Sequence, residues 1–217
     1  MPPFADRRDA GRQLAALLER EIPDPRRGDP VVFGIASGGI VVAYEVALAL
    51  DAPLAPLVVT RIRHPQWPEY ALGAVGPGGI TGLSPEADGL DGLVAKAVEA
   101  ARREQQRREA AYPDTGVWTR VRGRPAILVD DGIATGWTVR TGLRALRAAG
   151  PAAVTLAVPV APARAVSALA AECDAVRVVL ATESFSSVGA FYLDFADVPE
   201  DAVIRLIHDA AGRANAP

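Results

Sequence analysis

Along the chain, apolar runs of β-rich character alternate with segments of helical spacing, the rhythm that lays helices on the faces of a sheet. Residues 5–20 bring Leu14, Leu17 and Leu18 to one face of a helix, with Asp6 placed to cap it. Val31–Ile35 has the character of a short buried strand, and a Gly/Ser turn leads from it into a helical pattern over Val42–Leu50. Leu54–Ile62 predicts a second strand. Between 63 and 85, prolines and glycines surround Tyr70–Val75, which predicts an excursion in the form of a flap hairpin. A long helix is expected over 86–111, on which Arg102, Arg103, Arg107 and Arg108 form a solvated face. Ala126–Val129 is a third strand, followed by a helix over Thr138–Ala149 that Gly150 and Pro151 close. Strands at Val154–Val158 and Ala175–Leu180 flank a helix at 162–171. A loop over 182–198 then leads to a last helix near 200–211. With no repeat or linker, the pattern predicts one α/β domain over residues 1–217, with helices packed on a sheet.

Composition narrows the chemistry more than the fold. Half of the 217 residues are hydrophobic and 23% are charged, enough for a packed core. A net charge of -3 offers no global positive field, so neither nucleic acid nor a membrane surface is expected as partner. Lys96 is the only lysine, so any Schiff-base or P-loop lysine would have to be that residue. Cys173 stands alone, which excludes an internal disulfide, and His64 and His208 are too few for a multi-histidine metal centre. The first residues lack the pattern of a signal peptide and no apolar run is long enough for a membrane helix, so a cytoplasmic location is expected.

The most informative stretch runs from Ala126 to Thr138, where an apolar strand ends in the adjacent carboxylates Asp130 and Asp131. A turn of small residues, Gly132, Ile133, Ala134, Thr135 and Gly136, then opens a helix at Trp137 and Thr138. The carboxyl end of a strand is where an open α/β sheet places its ligand crevice. Backbone N–H groups of residues 134–138, aided by the positive end of the following helix, form a cradle for a phosphate monoester that needs no lysine. Two carboxylates beside it suit a vicinal diol, because each accepts hydroxyl hydrogen bonds. A sugar phosphate satisfies both halves. Helix capping at an exposed acidic strand end is the plainer alternative. A phosphatase with two catalytic aspartates two positions apart does not fit, since these two are adjacent.

This stretch resembles the PRPP-binding signature of the type I phosphoribosyltransferases, with Gly132 standing where most members carry an aliphatic residue. The resemblance implies a mainly parallel sheet with a flap at about 63–85 and a small hood at about 182–198 joined by the N-terminal segment. It implies that Asp130 and Asp131 hold the ribose hydroxyls and assist Mg²⁺ indirectly, and that residues 134–138 hold the 5′-phosphate. Ala36, Ser37, Gly38 and Gly39, after the first strand, resemble the family's pyrophosphate loop, although Ser37 and Gly38 stand where many relatives carry Arg. Arg61 matches a family lysine that assists the departing pyrophosphate; Arg63 reads equally well as a surface residue.

The segments 4–11, 65–75 and 185–195 are similar to a poorly characterised bacterial branch of the same family, so the likeness covers nearly the whole chain. By that likeness Phe185, Phe191 and Tyr192 would stack on the acceptor, or else form a satellite hydrophobic cluster. Ala134, and Pro159, Val160 and Ala161, stand where 6-oxopurine enzymes carry Asp and Lys, which disfavours that acceptor. Glu69 on the flap is the best acid/base, and Asp131 and Arg61 complete the catalytic set. The resemblance thus implies a Mg²⁺-dependent transferase moving ribose 5-phosphate from PRPP to a planar nitrogenous acceptor, with a homodimer as the general expectation. A PRPP- or nucleotide-sensing protein and a phosphoribosyl hydrolase remain as other readings.

Overall fold

Asp6 caps the first helix as its position predicts: its Oδ1 accepts the backbone N–H of Asp9 at 2.8 Å. From there the structure, a computed structural model, describes residues 2–21, 28–68 and 70–214. In chain order the elements are α1 (Arg7–Glu21), β1 (Val31–Ile35), α2 (Gly38–Leu50), β2 (Leu54–Leu57), β3 (Thr60–Arg63), β4 (Ala71–Val75), β5 (Thr81–Leu83), α3 (Asp91–Ala111), α4 (Val117–Arg120), β6 (Pro125–Val129), α5 (Trp137–Ala149), β7 (Ala153–Pro162), α6 (Ala163–Leu169), β8 (Ala175–Thr182) and α7 (Glu200–Ala214).

Five strands form a parallel sheet in the order β2-β1-β6-β7-β8. The alternation of side chains decides which helices cover which face. Phe33, Ile35, Leu57, Leu128 and Leu156 pack with Val139, Leu143 and Leu146 of α5 and Leu169 of α6. Val32, Leu54, Ile127 and Val129 point the other way, onto Leu14 and Leu18 of α1 and Val42 and Val46 of α2. With both faces buried, the strands carry unbroken apolar runs. A β-carbon on Gly34 would lie 2.8 Å from that of Ala43, so glycine there lets α2 lie close on β1.

One expected strand divides in two. Leu54–Leu57 belongs to the main sheet, whereas Thr60–Arg63 starts a separate antiparallel sheet, β3-β4-β5, which is the flap. The break is invisible to hydrophobicity because Val58 and Val59, which cross between the sheets, are 1% and 4% exposed. The flap therefore begins at Thr60 rather than 63. It rests on α3 through Ile62, Leu72 and Val75 against Val94 and Ala101. α4, four residues long, was not expected; it is too short to show a period.

The first residues pair with the late loop. The N–H of Phe4 donates to the carbonyl of Phe191 at 3.2 Å, and those of Leu193 and Asp194 donate to the carbonyls of Phe4 and Ala5 at 2.9 Å each. Among the described residues no helix is long and apolar enough to cross a membrane.

Candidate active site

From β1 the chain runs outward to β2, and β6 returns on the other side of β1, so the switch point of the sheet lies between β1 and β6. There the loops leaving two neighbouring strands diverge and open a crevice. β1 and β6 stay paired up to Gly34 and Val129, so residues 36–39 and residues 130–138 emerge side by side. They touch: a β-carbon on Gly39 would lie 2.9 Å from Cα of Asp130. Close approach, rather than an unusual backbone angle, is the reason for glycine here.

The two carboxylates are not at an exposed strand end. Asp131 Oδ2 accepts a 2.8 Å bond from Nε of Arg7, and the two side chains are only 16% and 11% exposed. The same guanidinium donates through Nη1 to the carbonyl of Ala196 at 2.8 Å and lies 3.8 Å over the ring of Phe195. The hydroxyl of Tyr192 donates to the backbone carbonyl of Asp131 at 2.6 Å. Asp130 Oδ1 accepts the N–H of Asp131 at 2.9 Å. Burial pushes the Asp130 carboxyl well above the usual carboxylate range, and the charge of Asp131 pushes the same way. Burial also raises Asp131, with Arg7 opposing it, and burial raises the Tyr192 phenol.

Asp130 and residues 132–140 line a cleft of about 750 Å³, with Arg61, Tyr70 and Glu86 on the flap side and Arg164 of α6 opposite. Gly136, at φ 84°, takes the left-handed conformation that turns the loop into α5, whose first-turn amides lack partners within the helix. Gly132 has a local reason too: a β-carbon there would meet Cγ1 of Val188 at 2.6 Å and Cγ1 of Val160 at 2.9 Å. The hood fills the space an aliphatic side chain would need.

The sequence-predicted residues separate into three groups. Asp130, the 132–138 loop and Arg61 share the cleft; Asp131 and Gly38, which lie close against each other, adjoin it through Asp130, and Ser37 does not line it. Phe185, Phe191 and Tyr192 do not line it. Phe185 and Phe191 stack on each other with centroids 5.5 Å apart, and Tyr192 lies between Phe4 at 5.2 Å and Phe195 at 4.8 Å. Arg63 is exposed and donates to the carbonyl of Pro68 at 3.2 Å. Glu69 lies outside the described residues.

Sequence reasoning missed Arg7, Tyr70 and Arg164. Tyr70 is 65% exposed on the flap, and an aromatic with no core to join was a usable signal. Nothing local marked Arg7 or Arg164. Among the described residues no three His, Cys, Asp or Glu side chains converge as a metal cage. One oxygen of Asp131 is committed to Arg7, so a hard cation would find Asp130 and the remaining oxygen of Asp131. Such a partial donor set fits a Mg²⁺ ion whose shell is completed by phosphates, hydroxyls and water.

The structure is thus an α/β domain with a parallel sheet whose switch-point cleft carries an acidic pair and a small-residue loop opening a helix. Residues 6–196 match the family model of the phosphoribosyl transferase domain, and the chain belongs to that family. Two Mycobacterium tuberculosis proteins, one from each of two strains and both provisionally named phosphoribosyl transferases, are 39% identical over 95% of this chain. The chain spans about half of their length, 47%. A crystal structure from Thermus thermophilus is similar along 98% of this chain and 100% of its own, with a TM-score of 0.74 and 36% identity.

Proposed function

We propose that the protein transfers the phosphoribosyl group of PRPP to a planar nitrogenous acceptor and releases pyrophosphate. The reading is carried by the acidic pair at the end of β6, which leads directly into the 132–138 loop at the mouth of the cleft. In it, amides and hydroxyls of residues 134–138 hold the 5′-phosphate, and Asp130 with the free oxygen of Asp131 receives the ribose hydroxyls. Bound Mg²⁺ would neutralise charge on the diphosphate. Arg61, on the flap side of the cleft, faces the diphosphate as it departs. Tyr70 offers the aromatic surface for the acceptor that the hood does not present. The buried free thiol of Cys173 suits a reducing cytoplasm.

Pyrophosphate release from PRPP, followed with and without a panel of nitrogenous bases, tests the reading. Release that requires one of the bases supports transfer. Release without any base makes the protein a hydrolase. Binding of PRPP with no release makes it a sensor, the second reading, which is favoured by the absence of a cation from residues 36–39 and by the tie between Asp131 and Arg7.

A further inference from the structure

The loop after β1 is short of charge. Residues 36–39 are Ala, Ser, Gly and Gly, and their only inherent attraction for an anion is the start of α2. Ser37 stands at the N-cap of α2, yet its side chain makes no capping bond. Its hydroxyl instead accepts a 3.2 Å bond from Nη2 of Arg108, which reaches it from the last turns of α3, 71 positions along the chain.

Arg108 differs from the arginines around it. Arg103 pairs with Glu99 at 3.4 Å, and Arg107 pairs with Glu104 at 3.0 Å and Glu200 at 3.3 Å. Those two, with Arg102, form the solvated face that the charge pattern predicts. Arg108 is half-buried, and among the described residues no carboxylate pairs with it. Its position is fixed from below. Gln105, 2% exposed, donates to the carbonyl of Val58 at 3.5 Å, and Tyr112 packs with Ala36, Ile40 and Val58. Two guanidinium groups therefore flank residues 37 and 38: Arg7, paired with Asp131, and Arg108, whose hydrogen bond goes to a hydroxyl and which feels the charge of Glu104 without an ion pair to it. A cation without an ion pair beside the positive end of a helix is electrostatically less favourable in the empty protein than when an anion sits between them.

We propose that Arg108 is a second catalytic cation for the pyrophosphate leaving group beside Arg61, supplied by α3 in place of an arginine within the loop. The proposal rests on the phosphoribosyl-transfer reading. In that reaction the C1–O bond breaks with its electron pair on the diphosphate oxygen. The acceptor nitrogen forms the new bond to C1 and gives up its proton to solvent. Arg108, with Ser37 and the first amides of α2, meets the charge that develops on the diphosphate.

The test is calorimetric binding of PRPP, pyrophosphate and ribose 5-phosphate, each with Mg²⁺, to the wild type and to Arg108→Gln, Arg108→Lys and Arg107→Ala. Arg108→Gln should weaken pyrophosphate and PRPP by roughly ten- to a hundredfold and leave ribose 5-phosphate within about twofold, as loss of one charge-assisted bond predicts. Arg107→Ala should change none of the three, and Arg108→Lys should lie between. Adding Ser37→Arg to Arg108→Gln should recover pyrophosphate binding. Unchanged pyrophosphate affinity in Arg108→Gln overturns the proposal, as does an equal loss of all three ligands, which would make Arg108 structural. If Arg108→Gln does not fold, a wild-type pyrophosphate affinity in Arg108→Lys overturns it and a selective loss there supports it. A wild type that binds neither PRPP nor ribose 5-phosphate overturns the phosphoribosyl reading itself.

Discussion

A β-carbon on Gly38 would stand 2.1 Å from Oδ2 of Asp131 and 2.8 Å from Nε of Arg7. The loop after β1 and the acidic pair after β6 thus share one volume, and a change in either is felt by the other. Gly38→Ala has no backbone reason to fail, because Gly38 is not among the positive-φ residues. Its methyl should push Asp131 off Arg7 and lower ribose 5-phosphate affinity by roughly ten- to a hundredfold, with a lower melting temperature, since a core site that cannot relax resists added volume. Calorimetry and thermal melts report both; a variant with wild-type affinity would show that Asp131 can rotate away at no cost.

Arg7→Ala leaves a carboxylate that is 16% exposed without its cation. Breaking one side of a buried pair costs about 3–5 kcal/mol, and removing both partners costs much less. Urea unfolding of Arg7→Ala, Asp131→Asn and the double variant should show strong coupling between the two changes. Additive losses would mean that the contact at 2.8 Å contributes little.

The raised Asp130 carboxyl gives a pH signature. Its folded-state pKa lies above the unfolded value of 3.8, so the folded protein binds more protons and stability falls as pH rises from that value through the raised one. Asp130→Asn can still accept the Asp131 N–H, and it should raise the melting temperature at neutral pH, by an amount that shrinks toward the acid side. The same variant should lose Mg²⁺–PRPP binding. Melts across a pH series alongside calorimetry decide this; a destabilised Asp130→Asn at neutral pH would contradict the burial argument.

Arg61 faces the cleft from the flap. Arg61→Ala should lower kcat by about a hundred- to a thousandfold, the usual loss for one transition-state donor, while nucleoside monophosphate binding changes far less. Steady-state kinetics beside equilibrium binding separates the two, and equal losses would make Arg61 a general binding residue.

The parallel sheet and the β6–α5 loop were legible because both are local. A strand that is apolar throughout and a glycine that starts a helix leave their marks on consecutive residues. The flap boundary was not legible, since Val58 and Val59 are as buried between the sheets as they would be within one. Arg108 was read as solvated because its neighbours at 102, 103 and 107 are. Only the packing of Gln105 and Tyr112 turns α3 so that position 108 meets Ser37. The hood aromatics had the right composition for stacking on a ligand, but they pack on one another and on Phe4.

The distance along the chain between Arg7 and its partners sets an order of events during synthesis. Asp131 lies 124 positions after Arg7 and Ala196 lies 189 after it. At about 5–20 residues per second, roughly 10–40 s separate the appearance of Arg7 from that of the carbonyl it grips. A nascent chain therefore has α1 and β1 long before it has anything to neutralise Arg7, and the acidic pair arrives before the hood that covers it. The cover over Arg7 and Asp131 is completed late, when the residues beyond β8 fold back onto the first turn of α1.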